Sequence, residues 1–290
     1  MHSKMVIVDD QVVLTGSNNF SSSGFVTNEE NSVVMKAPAH ADRVAAFTCD
    51  FDRMFEAGVG PGQAQRRDDD PVRSQAVEQL RQCNSDNTWF PPAGVLETAD
   101  RTPMLGLLVN AQSDTFDAMA DGVDAATRSI ALAPDMLASP GLTSRVLGRA
   151  RDGIKVRLVL DASSEALNNP SFVKCLTEAA KTEGLDVEAH YWPGNEEVYQ
   201  LLHHKFMIID GEDPAAAAVY NGSANFSAKA LTWSFENITR YQGAEWKPVV
   251  DAFSIRFDRL FDAALTAERL AEEEGMTVPD PPGGMDACRY

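Results

Sequence analysis

Two short runs of this 290-residue chain hold side chains that could grip and attack a phosphate. One reads His203-His204-Lys205, four mostly apolar residues from Phe206 to Ile209, and Asp210. Gly222-Ser223-Ala224-Asn225 and Glu236-Asn237 follow it. The other reads His2-Ser3-Lys4, Met5 to Val8, Asp9, then Gly16-Ser17-Asn18-Asn19 and Glu30-Asn31. A histidine and a lysine two apart on a strand point to one face. A nearby Gly-Ser-x-Asn adds a hydroxyl, a carboxamide and flexible backbone N–H groups. Together these make a pocket for one phosphate with an imidazole beside it. Asp9 and Asp210, five residues past the lysines, suit a structural role better than contact with substrate. A lone His-x-Lys-x4-Asp would mean little; its recurrence gives it weight.

The two runs align without gaps beyond the serine. Ser17 and Ser223, Asn19 and Asn225, Glu30 and Glu236, Phe47 and Phe253, Phe51 and Phe257, and Phe55 and Phe261 are each 206 positions apart. His2 and His203, Lys4 and Lys205, and Asp9 and Asp210 are 201 apart, so Gly211–Tyr220 carries five extra residues. Self-similarity at a fixed offset marks a repeated unit, here too long for a solenoid. We read two homologous halves of one fold. Two such half-sites facing each other would surround one phosphodiester with two imidazoles, two lysines and two asparagines. One neutral histidine could attack phosphorus while the other donates a proton to the leaving alkoxide. Glu30 and Glu236 are placed to accept from the remaining ring nitrogen of each histidine and to fix its tautomer.

The doubled His-x-Lys-x4-Asp with Gly-Ser-x-Asn and the later Glu-Asn resembles the phospholipase D superfamily. The likeness covers both motif regions and, more loosely, Trp89–Phe261. It implies two α/β sandwich repeats about a pseudo-twofold axis, with the active site on their interface. It further implies His2 as nucleophile, His203 as acid, and Lys4, Lys205, Asn19 and Asn225 on the phosphate. Ser17 and Ser223 would support the phosphate, and no metal or other cofactor would be needed. His204 fills a variable position and receives no role. The catalytic motifs are thus His2, Lys4 and Asp9 with His203, Lys205 and Asp210.

The elements that must position these residues follow from periodicity. Met5–Leu14 reads as a hairpin and Asn31–Met35 as a strand. Ala39–Phe55 reads as an amphipathic helix with Val44, Phe47, Phe51 and Phe55 toward the core. From Leu105 strand and helix alternate. Strands are expected at Leu105–Val109, Ser129–Ala133, Val156–Leu160, Val187–Trp192 and Lys205–Ile209. Helices are expected around Phe116–Val123, Leu142–Ala150, Pro170–Thr182 and Asp251–Glu274. Such alternation indicates an α/β fold with a mostly parallel or mixed sheet. The expected domains are an incomplete first repeat at 1–58, a linker at 59–75, a complete second repeat at 76–274, and a flexible tail at 275–290. The first repeat has no leading strands and helices before His2, the pattern of a truncated chain or an unusual variant, and truncation is favoured.

Composition narrows the partners. A formal charge of −18 repels polyanions at long range, so nucleic acid is not the expected partner. A nuclease of the same superfamily remains the alternative enzyme, and a non-catalytic scaffold the alternative class. The substrate is expected to be a phosphodiester of the phospholipid type, met through peripheral membrane contact. Phosphatidyl transfer, as in cardiolipin synthases, usually comes with membrane-spanning segments, and no apolar run here approaches the ~18 residues such a helix needs. No secretory signal opens the chain, though one could precede Met1, and the compartment is left open. Since single-motif relatives dimerise, a homodimer through residues 76–290 is conceivable. The four cysteines are widely spaced, without a Cys-x-x-Cys pair, and are read as buried or free thiols.

Overall fold

The computed structural model describes residues 2–56, 114–167, 171–194, 200–232 and 236–288. The linker, Trp89-Phe90 and the Leu105–Val109 strand lie outside the described residues. The first motif forms a hairpin, β1 (Met5–Val8) and β2 (Val12–Gly16), whose turn places Asp9 and Asp10 at positive φ. Aspartate tolerates that left-handed region better than most residues. A short helix α1 (Ser22–Val26) follows, capped by Ser21 Oγ, which accepts from the Gly24 N–H. Strand β3 (Ser32–Lys36) pairs with β2, giving a three-stranded antiparallel sheet, and helix α2 (Ala41–Glu56) packs on it.

After α3 (Asp114–Ala125) come β4 (Ser129–Pro134), β5 (Leu137–Ala138) and α4 (Pro140–Arg151). Next are β6 (Lys155–Asp161), α5 (Ala162–Leu167), α6 (Val173–Glu183) and β7 (Val187–Trp192). The second motif supplies β8 (Lys205–Ile209), β9 (Ala218–Gly222), β10 (Phe226–Ser227) and α7 (Ala228–Thr232). Strand β11 (Ile238–Gln242), α8 (Lys247–Ala263) and α9 (Ala267–Glu273) follow. The main sheet runs β11-β9-β8-β4-β6-β7; β4, β6 and β7 are parallel and the rest antiparallel. This is an α/β fold with a mixed central sheet, as the alternation of strand and helix indicates.

Both faces of that sheet are covered, so its strands are nearly continuous apolar runs. Ile130, Leu132, Leu158 and Leu160 point to one face and meet Met119, Val123, Leu142, Val146 and Leu176. Ala131, Val159, Phe206 and Ile208 point to the other and meet Phe253, Phe257 and Phe261 of α8. Val13, Val33, Met35, Val44 and Phe47 of the small sheet and α2 join this second cluster. The two motif regions therefore share one core.

Several expectations are corrected. Phe51 and Phe55 are exposed, at 47% and 76%, although Phe257 and Phe261 are buried. Helix α8 lies against the six-stranded sheet, whereas α2 lies against the three-stranded one. The expected single helix Asp251–Glu274 is two: Ala264 is extended, and Thr266 caps α9 by accepting from the Arg269 N–H. Leu265 between them bridges to Tyr191. Helix α6 starts at Val173, where Ser171 Oγ accepts from the Val173 N–H, and stops at left-handed Gly184.

The described cysteines are not free thiols. Cys175 and Cys288 form a disulfide, and Cys49 is disulfide-bonded as well. Spacing alone could not reveal this, since pairing depends on which helix the tail reaches. The tail carries a short 3₁₀ turn (Met285–Cys288), and Asp280 pairs with Lys174 at 2.6 Å. Because the bridge closes a separation of 113 residues, its reduction is expected to cost about 2–5 kcal/mol. Thermal melts with and without reductant, compared with Cys288→Ser, test this; equal midpoints would refute it.

Candidate functional site

At the strand starts, the two motifs meet with their partners crossed. His2 Nδ1–H donates to Glu236 Oε1 at 2.8 Å, with Oε2 at 3.1 Å. His203 Nδ1–H donates to Glu30 Oε1 at 2.7 Å. Each imidazole is thus oriented by a carboxylate from the other motif region, 234 and 173 positions away. The spacing placed a glutamate with each histidine; only the tertiary structure pairs them crosswise.

Each glutamate is itself held from behind in the same way. Ser17 Oγ donates to Glu30 Oε2 at 2.6 Å and accepts from the Asn31 N–H at 3.0 Å. Ser223 Oγ donates to Glu236 Oε2 at 2.6 Å and accepts from the Asn237 N–H at 3.0 Å. Both serines are fully buried. Each hydroxyl proton is thereby given to a carboxylate. The glycines before them allow the arrangement. A Cβ on Gly16 would meet the Asn31 carbonyl oxygen at 2.1 Å, and one on Gly222 the Asn237 oxygen at 2.0 Å.

Both lysines are buried. Lys4 Nζ donates to His2 Nε2 at 2.8 Å and to the His2 carbonyl at 2.9 Å. Burial, reinforced by the Lys205 cation, lowers its pKa to about 8, while Glu236, Glu30 and Asp135 pull the other way. Lys205 Nζ donates to the His203 carbonyl at 3.0 Å, and burial lowers its pKa against Asp135, Glu30 and Glu236. Asp135, 4.0 Å from Lys205, is a site residue that sequence reasoning missed. It stands at the end of β4 with no motif around it. Asn225 Oδ1 is buried with no hydrogen-bond partner among the described residues. Among the described residues, no group of three or more His, Cys, Asp or Glu is arranged to hold a metal ion.

Asp9 and Asp210 lie at the other end of their strands, roughly 16 Å along the chain from the lysines at the usual rise. Asp210 accepts from the backbone N–H groups of Thr127, Arg128 and Ser129 at 2.7–3.1 Å and from Thr127 Oγ1 at 2.9 Å. Burial disfavours its charge, but these hydrogen bonds outweigh burial and hold the carboxyl below its ordinary range. Asp210 therefore ties β8 to the start of β4. Asp9 is exposed in its turn. Among the ordinary histidines, His190 bonds the Phe261 carbonyl at 2.7 Å and His40 packs on Trp246.

This geometry has counterparts among known proteins. A family model described as "cardiolipin synthase, PLD-like domain" matches residues 1–55 and 119–261. The chain belongs to the phospholipase D superfamily. A mitochondrial cardiolipin hydrolase of Chlamydomonas reinhardtii is 25% identical over 146 residues, 49% of this chain and 55% of that protein. The chain thus spans about half the length of that curated relative. The phosphatidylserine synthase of Haemophilus influenzae Rd KW20 shares the fold, with a TM-score of 0.63 at 12% identity over 91% of this chain and 63% of that one. NucT from Helicobacter pylori gives a TM-score of 0.43 at 18% identity over 53% of this chain and 91% of that one, too weak a likeness to bear on function. No helix among the described residues of this superfamily member is long and apolar enough to cross a membrane.

The Asp210 clamp gives a stability test. A charged acceptor of several N–H groups is worth about 1.5–3 kcal/mol per bond, so Asp210→Asn is expected to lose about 2–3 kcal/mol. Its folded pKa is depressed, so the contribution is complete above the unfolded value of about 4 and disappears as pH falls through the folded value. Denaturant melts of both proteins from neutral to acid pH check this, and a difference that does not shrink below about pH 4 refutes it.

Proposed function

We propose that this protein is a phospholipase D-like phosphodiesterase that cleaves or transfers a phosphatidyl group through a covalent phosphohistidine. The observation that carries the reading is the crossed pairing of His2 with Glu236 and of His203 with Glu30. It joins the two motif regions into one site, which supports a reading of two related units about a pseudo-twofold axis. Each carboxylate holds the proton on Nδ1, which leaves Nε2 of each ring for chemistry.

In this reading the His2 Nε2 lone pair attacks phosphorus, and the bond to the leaving alkoxide breaks as His203 Nε2–H donates its proton to that oxygen. His203 then removes a proton from water or an alcohol, whose oxygen attacks phosphorus and releases His2. Lys4, Lys205, Asn19 and Asn225 carry the growing charge on the equatorial oxygens. Lys4 rests on His2 Nε2, so the phosphate must draw the ammonium off the nucleophile before attack. Phospholipid is the proposed substrate class, supported by the family description and by the relative named a cardiolipin hydrolase.

The test is turnover of cardiolipin and phosphatidylcholine vesicles with acid-quench trapping of ³²P-labelled enzyme. His2→Ala and His203→Ala should each lose on the order of 10²–10⁴-fold, and chelator should change nothing. Turnover that survives His203→Ala, or no trapped phosphohistidine, overturns the mechanism; cleavage of plasmid but not lipid overturns the substrate class.

The lysine adds a pH signature. Lys4 loses its charge as pH rises through about 8, so binding of inorganic phosphate should weaken there. Lys4→Arg, whose guanidinium stays protonated, should carry the affinity to higher pH. Calorimetric titrations at pH values on either side of that midpoint decide, and a flat profile in the parent protein excludes Lys4 from the phosphate. The stability linkage has the opposite trend. Charging this buried lysine costs free energy, so stability should rise from pH about 8 toward the unfolded value of about 10.4.

A further inference from the structure

The segment bearing Glu30 runs beside the segment bearing His203 as a short parallel pair bridged at Glu29 and Leu202. The Glu29 N–H donates to the Leu201 carbonyl at 2.8 Å, and the His203 N–H donates to the Glu29 carbonyl at 2.9 Å. Beyond that point the pairing continues through side chains. Glu30 takes His203 Nδ1–H, and the next residue, Asn31, donates its Nδ2–H to His204 Nδ1 at 3.0 Å. Two consecutive histidines thus hold two consecutive residues of the other motif. Successive side chains of an extended segment alternate faces, so His203 meets the site while His204 turns to the core. The His204 ring is 1% exposed and lies edge-on to Phe206, with centroids 5.3 Å apart.

The first motif is built from other residues. Serine stands at position 3, and Asn237, the counterpart of Asn31, accepts instead from Thr15 Oγ1 at 3.0 Å. The two halves of the site are therefore built differently behind their histidines.

We propose that His204 is a positioning residue: by holding Asn31 it keeps the Glu30 carboxylate on His203 Nδ1 and so fixes the orientation of that ring. The role requires an acceptor at Nδ1, since a protonated ring would set one donor against another. Burial, then the charges of Lys205 and His203, lower its pKa to about 3, so the ring remains an acceptor over the working pH range. The device rests on the reading of His203 as proton donor, and the variable position of the motif thereby acquires a duty in this half-site.

The test uses the full chain with ¹⁵N-labelled histidine, reading the His203 Nδ1–H signal and its exchange with water, alongside kcat and KM. His204→Ala and Asn31→Ala should each speed that exchange about tenfold and lower kcat about tenfold with KM unchanged, the low end of the loss seen when the outer-shell partner of a metal-bound histidine is removed. His204→Asn, whose Oδ1 can accept from Asn31, should restore both. Unchanged exchange and kcat with only a lowered melting temperature overturn the proposal, as does a folded His204→Asn as impaired as His204→Ala. Should His204→Ala not fold, Asn31→Ala on the half-buried partner decides. The exchange measurement needs no turnover, so an inactive parent protein would sink the mechanism above and leave the role of His204 measurable.

Discussion

Two imidazole–carboxylate bonds made across the molecule constrain everything near the motifs. His2 can reach Glu236, and His203 can reach Glu30, only if the small sheet and the large one are docked in one orientation. The serines behind the carboxylates, the glycines that let the strands approach, and the shared apolar cluster all serve that docking. A carboxylate without its partners in such a place would be a costly buried charge, so the arrangement enforces itself.

Charge balance explains why the site tolerates two buried ammonium groups. Lys4 and Lys205 lose hydration, which lowers the pKa of both, and the Lys205 cation adds to the effect at Lys4. Glu30, Glu236 and Asp135 offset part of this. In the proposed reaction, the negative charge growing on the phosphate oxygens would offset the rest. A chain of net charge −18 thus gathers two buried lysines at one place, each beside carboxylates.

The two motif regions differ in what surrounds them. Around the second, six strands carry helices on both faces, and Phe226, Leu231, Phe257 and Phe261 are buried. Around the first, three strands leave the matching Phe20, Phe25, Phe51 and Phe55 exposed. Equal sequence spacing thus produces equal local geometry at the serine and glutamate but unequal packing, because burial depends on how many neighbouring strands lie within reach.

Much of the chemistry was legible in the residues alone. The doubled His-x-Lys and Gly-Ser-x-Asn runs, with glutamates at one constant offset, identified the imidazoles, ammonium groups and carboxylates that the structure gathers at one end of the sheets. Period-two and period-3.6 patterns placed β4, β6, β7, β8, α2, α3 and α4, since local patterning determines which face is apolar. What spacing could not express is pairing between distant segments. The crossed glutamates, the serines turned to carboxylates, Asp135 beside Lys205, the Cys175–Cys288 bridge and the hold of His204 on Asn31 are all contacts made by folding. They depend on the relative placement of whole sheets and helices, a quantity absent from any local pattern.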